Sequence, residues 1–221
     1  MKKDVYISVS TDPVQERQKV VEYAKNLQGI ADFIHCDVKD GIFVSSKNFD
    51  ADLASNINAN CLTMLDVHLM CKEPYKMIDS YLKSGANIVT IHYEAFADKN
   101  QIISAVNKIK FANALCGIAI RPETEVKHIK MFLYAFDVVL VLGVEPGASG
   151  QKFIPQTLEK IKQLDALRKE NDYNYKIEVD GGVCEENAEE IINAGGDILV
   201  SGNFVFKAED REEAINKLKN K

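Results

Sequence analysis

A chain of 221 residues with 46% hydrophobic and 27% charged side chains can bury a sizeable core, which excludes a disordered or fibrous protein. Its 27 Lys and Arg against 33 Asp and Glu leave a formal charge of −6, so nucleic-acid binding through bulk electrostatics is excluded as well. No apolar run approaches the roughly 20 residues needed to span a bilayer.

Along the chain, short apolar β-branched runs alternate with longer amphipathic stretches, and no low-complexity linker or charge block divides it. Strands are expected at Val5–Val9, Phe33–Asp37, Leu65–Leu69, Ile88–His92, Gly117–Ile120, Val138–Leu142, Ile177–Asp180 and Ile198–Ser201. Helices are expected at Pro13–Leu27, Asp50–Asn58, Pro74–Lys83, Lys99–Phe111, Glu123–Tyr134, Pro155–Lys169, Glu185–Asn193 and Asp210–Lys219. Pro74 and Pro155 stand at first-turn positions, and Gly85 and Gly195 at helix C-caps. Eight strands, each followed by a helix at about 27 residues per unit, predict a single α/β domain over residues 1–221, a closed (β/α)8 TIM barrel. An open doubly wound sheet would carry fewer strands and a GxGxxG after the first, and this chain has none there.

The opening Met1-Lys2-Lys3-Asp4 runs into a short strand-like segment with no secretory h-region. Five cysteines (Cys36, Cys61, Cys71, Cys116, Cys184) are odd in number, widely spaced and without a CxxC. They read as small core residues of a reduced, cytoplasmic chain with no disulfide framework or structural zinc.

In such a barrel the chemistry sits at the C-terminal ends of the strands, where eight loops converge over one rigid rim. The polar residues at those ends are Ser8, His35, Asp37, His68, His92, Asp180 and Ser201. In His35-Cys36-Asp37, positions i and i+2 share a face, so imidazole and carboxylate point together and Cys36 away. Asp66 and His68 share a face in the same way. Two histidines and two carboxylates from different strands suit an open Zn²⁺, Fe²⁺, Mn²⁺ or Co²⁺ site; a plain buried His–Asp hydrogen-bond network is the alternative. His92 is either a partner of such a site or a structural histidine, and His128 lies on a solvated helix face.

Asp180 precedes Gly181-Gly182, which suits a carboxylate aimed at a reacting centre beside glycines that let backbone N–H groups approach a ligand; a turn or N-cap Asp is the alternative. With Ser201-Gly202-Asn203 after the eighth strand, this matches the phosphate site that barrels build from their last two loops. A phosphate held by backbone N–H groups needs no basic patch, consistent with the acidic charge balance. The glycine-rich run Gly143–Gln151 after the sixth strand is either a flexible loop or a lid over substrate.

Four blocks in register carry a family resemblance: Ile34–Gly41, Leu65–Met70, Glu145–Pro155 and Ile177–Gly182. Over about Ile7 to Phe206 the chain resembles the ribulose-phosphate 3-epimerase family. The resemblance implies one divalent metal per subunit held by His35, Asp37, His68 and Asp180, with Asp37 and Asp180 also the catalytic acid/base pair. It implies substrate contacts from Ser8, His68 and Asp180, and phosphate contacts from Gly147, Ala148, Ser149, Gly150, Gly181, Gly182, Gly202 and Asn203. The implied substrates are D-ribulose 5-phosphate and D-xylulose 5-phosphate of the pentose phosphate pathway, and the implied assembly is a homodimer or larger homo-oligomer.

Departures from the family pattern fall beside the sugar rather than on the metal set. The family usually has Met where Lys39 stands, Asn where Glu145 stands, Phe-Gly where Ala148-Ser149 stand, and Gly-Ser where Gly202-Asn203 stand. The related allulose-6-phosphate 3-epimerases share the metal set and remain an alternative. Asp37-Val38-Lys39-Asp40 is similar, one residue short, to the Asp-x-Lys-x-x-Asp element of decarboxylase and aldolase-like barrels; an Asp37–Lys39 ion pair is the plainer reading. A sugar-phosphate-binding protein without turnover is the reading outside catalysis.

Overall fold

A computed structural model describes residues 4–221. Residues 1–3, on which the reading of the N-terminus partly rests, lie outside the described residues. The strands are β1 (Tyr6–Ser10), β2 (Phe33–Lys39), β3 (Met64–Met70), β4 (Ile88–His92), β5 (Leu115–Ile120), β6 (Val138–Leu142), β7 (Lys176–Asp180) and β8 (Ile198–Ser201). They pair in parallel, each with its neighbour in sequence and β8 back to β1, closing the expected barrel. Around it run α1 (Arg17–Asn26), α2 (Ala51–Asn60), α3 (Pro74–Lys83), α4 (Asn100–Phe111), α5 (Thr157–Asn171), α6 (Glu185–Ala194), α7 (Asn203–Phe206) and α8 (Arg211–Lys219). No described helix is long and apolar enough to cross a membrane.

Two opposite faces of each strand explain where the core sits. The outward residues, such as Ile34, Cys36 and Val38 on β2 or Leu65, Val67 and Leu69 on β3, join the helices in one large apolar cluster. The inward residues stack in layers drawn from alternate strands. The lowest layer is apolar, with Phe33, Ile88, Val138 and Ile198 from the even strands. Above it the interior turns polar on the β1–β4 and β7 side, with Ser8, His35, Asp66, Thr90 and Glu178 all fully buried. The opposite wall stays apolar, with Ala119, Leu140 and Leu142. This asymmetry gathers the titratable groups on one side of the barrel mouth.

The structure revises three sequence readings. The helix expected over Glu123–Tyr134 is instead two 3-10 segments, Val126–His128 and Lys130–Ala135. Its buried residues Val126, Ile129, Phe132 and Leu133 follow a spacing that an α-helix shares, so the pattern alone does not separate the two. The Lys160 ammonium also caps the carbonyls of Arg121, Pro122 and Thr124, pinning the approach to this segment. Pro155 lies just ahead of α5, which starts at Thr157, rather than in its first turn. The short helix α7 after β8 had no counterpart in the sequence reading.

Candidate active site

The register of β2 on β3 sets the site. Asp37 lies opposite His68, and His35 opposite Asp66, so the two His-x-Asp and Asp-x-His pairs interleave at two depths. At the upper depth, Asp37 Oδ1 is 3.4 Å from His35 Nε2 and 3.2 Å from His68 Nδ1. From across the barrel, Asp180 Oδ2 at the end of β7 comes within 3.8 Å and 3.7 Å of the same two nitrogens. One donor atom from each of the four residues falls within 4.8 Å of the others. Asp66 does not join this set: it sits below, accepting from His35 Nδ1 at 2.6 Å and from the Ser8 hydroxyl at 2.8 Å.

Burial and charge act together on these groups. Burial disfavours the His35 imidazolium, but the Asp66 and Asp37 carboxylates outweigh it and raise the pKa well above its ordinary value. Burial likewise opposes the Asp37 charge, yet His35 and His68 hold its carboxyl well below the usual range. The Glu178 carboxyl, buried beside Asp66, is pushed well above the usual range by burial and then by the Asp66 charge.

A divalent metal fits the upper cluster. His35 Nε2 is buried with no hydrogen-bond partner, because Nδ1 is committed to Asp66. An imidazole fixed through Nδ1, whose Nε2 would give up its proton to an ion beside two carboxylates and a second imidazole, belongs to the donor set of a Zn²⁺- or Fe²⁺-type site.

Above the cluster opens a cavity of about 990 Å³. Asp37 and Asp180 line its floor, and the loop segments Gly147–Gly150, Gly181, Gly182, Gly202 and Asn203 line one wall. Gly182 has φ of +71°, and a Cβ there would come within 2.4 Å of the Phe153 backbone nitrogen, so the loop after β7 folds this way only with glycine. The helix following that loop is capped by Cys184, not by Asp180, whose side chain faces the cluster.

The loop after β6 reaches over the cavity and is tied to the loop after β2. Ser46 Oγ donates to the Gly147 carbonyl at 2.9 Å, and Gly147 packs beside Val44. Gln151 closes the loop on itself through the Glu145 and Ala148 carbonyls.

Other sequence candidates fall elsewhere. Ser8 is fully buried beneath the cavity; the β1 residue on the cavity wall is Ser10, whose hydroxyl donates to Asp37 Oδ2 at 3.2 Å. Ser201 is buried and donates to the Val183 carbonyl. Lys39 does line the cavity, but its ammonium pairs with Asp12 Oδ1 at 2.6 Å rather than with Asp37, and Asn48 donates to the same oxygen. His92 is fully buried and shares a 2.9 Å contact with His68 between the two Nε2 atoms. His128 is exposed, as expected, and stacks on Tyr93. The residues that sequence reasoning missed were Ser10, Asp12 and Glu94. The alternation of β1 could have found Ser10, since it shares the face of Ser8 one step nearer the rim.

Barrel, buried His/Asp cluster and glycine-lined cavity together describe a (β/α)8 protein with a candidate metal site at the mouth of its barrel, and the comparisons make the class specific. The model of the Ribulose-phosphate 3 epimerase family matches residues 6–206. Ribulose-phosphate 3-epimerase of Aquifex aeolicus is 36% identical over 193 residues, covering 87% of this chain and 86% of that protein. The Bacillus subtilis protein of the same name is 37% identical over 193 residues, covering 87% and 88%. The chain belongs to the ribulose-phosphate 3-epimerase family, isomerases that act on carbohydrate phosphates. Among solved structures, a 3-keto-L-gulonate-6-phosphate decarboxylase from Vibrio cholerae superposes with a TM-score of 0.75 at 14% identity, over 99% of this chain and 97% of that one. That likeness concerns the fold alone.

Proposed function

We propose that this chain interconverts D-ribulose 5-phosphate and D-xylulose 5-phosphate by moving the C3 proton between two carboxylates. The observation that carries the reading is the meeting of Asp37 from β2 and Asp180 from β7 over one buried pair of histidines, at the floor of a glycine-lined cavity. Inverting a carbon beside a ketone requires taking a proton from one face and returning one to the other, which a carboxylate on each side supplies. Asp37 is suited to a double role: Oδ1 faces the histidines, while Oδ2 faces Ser10 on the cavity wall.

His35, Asp37, His68 and Asp180 would hold the metal, a single divalent ion per subunit. When bound, such an ion supplies Lewis acidity toward the oxygens of the substrate's ketone and neighbouring hydroxyl. The loops at Gly147–Gly150, Gly181-Gly182 and Gly202-Asn203 bind the phosphate, and that remote binding energy fixes C3 between the carboxylates. The loop over Gly143–Gln151 shields the reacting carbon from water. The same reading makes the chain a cytoplasmic homo-oligomer, in keeping with its five free cysteines.

The test is epimerisation of ribulose 5-phosphate, xylulose 5-phosphate and allulose 6-phosphate in deuterated water. Turnover of the pentose phosphates with solvent deuterium at C3 of the product is expected. Asp37→Asn and Asp180→Asn should each slow it by about 10²–10⁴-fold. Preference for the hexose phosphate would move the chain to the allulose branch. Product without deuterium at C3, or a product of carbon–carbon cleavage, would overturn the mechanism.

A further inference from the structure

His68 reaches the candidate metal cluster through Nδ1, and behind it lies a chain of hydrogen bonds with a fixed direction. Its Nε2 is 2.9 Å from His92 Nε2, and His92 Nδ1 is 2.9 Å from Glu94 Oε2. Glu94 in turn is held on its other oxygen, Oε1, by the Arg121 backbone N–H at 2.9 Å and by the Thr124 hydroxyl at 2.5 Å. These groups lie behind the β3–β5 strand ends, and neither His92 nor Glu94 lines the cavity.

Two ring nitrogens in contact need one donor and one acceptor, and this chain dictates which is which. A carboxylate only accepts, so His92 Nδ1 carries the hydrogen. At the other end His68 Nδ1 faces Asp37 and Asp180, with Asp37 Oδ1 at 3.2 Å. A metal taking Nδ1 would leave the His68 hydrogen on Nε2, and a His92 ring protonated on Nδ1 offers its bare Nε2 to accept it.

We propose that Glu94 and His92 are positioning residues that act through His68, setting its tautomer so that Nδ1 is bare toward the metal cluster. The inference deepens the function proposed above and rests on its reading of His68 as a metal ligand. On Glu94, burial is outweighed by its bonds from His92, Arg121 and Thr124, which leave it ionised with a pKa of about 2.

The sharpest test is Glu94→Gln, which keeps shape but reverses the chain. The Arg121 N–H cannot turn away, so the amide oxygen must take the Oε1 position, and the amide NH₂ then points at His92 Nδ1. His92 would accept through Nδ1, donate through Nε2, and force the hydrogen of His68 onto Nδ1.

In metal-free, ¹⁵N-labelled protein at alkaline pH, the four histidines can be resolved by long-range ¹H–¹⁵N correlation. His92 should appear as the Nδ1–H tautomer in the wild type and as Nε2–H in Glu94→Gln. Affinity for Co²⁺ or Zn²⁺, read by competition with a chelator, should fall about 10–100-fold in the variant. In the double variant Glu94→Gln/His92→Gln the new side chain can turn its carbonyl to His68 freely, so affinity should recover above that of Glu94→Gln alone. A defect of folding would not recover this way. An unchanged His92 tautomer with affinity within about twofold of wild type overturns the proposal, as does a double variant no better than the single one. A wild type that binds neither metal would instead overturn the metal reading, and the tautomer of His92 would still decide the relay.

Discussion

Asp66 accepts the Nδ1 hydrogen of His35 at 2.6 Å, and this bond at the lower depth leaves His35 Nε2 as the nitrogen turned to the metal donors at the upper one, without a hydrogen-bond partner. Removing the acceptor should therefore weaken metal binding although Asp66 touches no metal. Asp66→Ala is expected to lower affinity for a divalent ion by about 10–100-fold. Asp66→Asn should cost less, because its carbonyl still accepts from Nδ1 while the charge is lost. Chelator competition on the three proteins checks the order. Equal affinities would mean that His35 is oriented by something other than Asp66.

The Ser46–Gly147 bond gives the loop after β6 a latch. A single neutral hydrogen bond contributes roughly 0.5–1.5 kcal/mol. Ser46→Ala is thus expected to raise KM for the ketose phosphate by up to about tenfold and to leave the proton-transfer step nearly unchanged. Hydrogen exchange of residues 143–151 should slow when substrate is added to the wild type, and slow less in the variant. Exchange that is the same with and without saturating substrate would make the segment a passive loop.

Much of this arrangement was legible in the chain because a parallel barrel obeys two simple periods. Period two along β2 put His35 and Asp37 on one face, and the strand-end rule placed both at the rim. What the sequence could not show is depth. Asp66 and His68 share a face just as His35 and Asp37 do, yet the registry of β2 on β3 puts Asp66 one layer lower, beneath the metal donors. The same ambiguity selected Ser8 where Ser10 lines the cavity. Lys39–Asp12 joins the end of β2 to the loop after β1, and His92–Glu94 joins the end of β4 to the 3-10 turn that follows it, contacts that no strand or helix period encodes. The segment after β5 shows the same limit, because its buried Val126, Ile129, Phe132 and Leu133 suit an α-helix as well as the two 3-10 turns it forms.

Stability and catalysis should separate between the two ends of the barrel. Asp197, buried just ahead of β8, receives the Arg168 guanidinium and the Ile177 backbone N–H. Arg168→Met removes the only one of these partners that carries charge, and breaking a buried pair from one side typically costs about 3–5 kcal/mol. The urea midpoint should fall accordingly, while kcat measured well below it stays near the wild-type value. A loss of kcat as large as the loss of stability would show that the bottom of the barrel governs the geometry of the rim.

The last prediction concerns acid. The Glu94 carboxyl lies at about 2 in the folded chain against an ordinary 4.5, because its three hydrogen bonds outweigh the burial that opposes its charge. A depressed carboxyl binds fewer protons in the folded state than in the unfolded one, so its contribution is complete above about pH 4.5 and is lost as pH falls toward 2. The shift corresponds to stability on the order of 2–3 kcal/mol at neutral pH. Glu94→Gln cannot titrate. The difference in unfolding free energy between metal-free wild type and this variant should therefore stay level from pH 7 to about 5, and narrow steadily below that. Urea unfolding across this range, down to the lowest pH at which both proteins unfold cooperatively, checks it. A gap of the same size at every pH would show that Glu94 titrates alike in the folded and unfolded chain, and that its three donors do not hold it as a carboxylate.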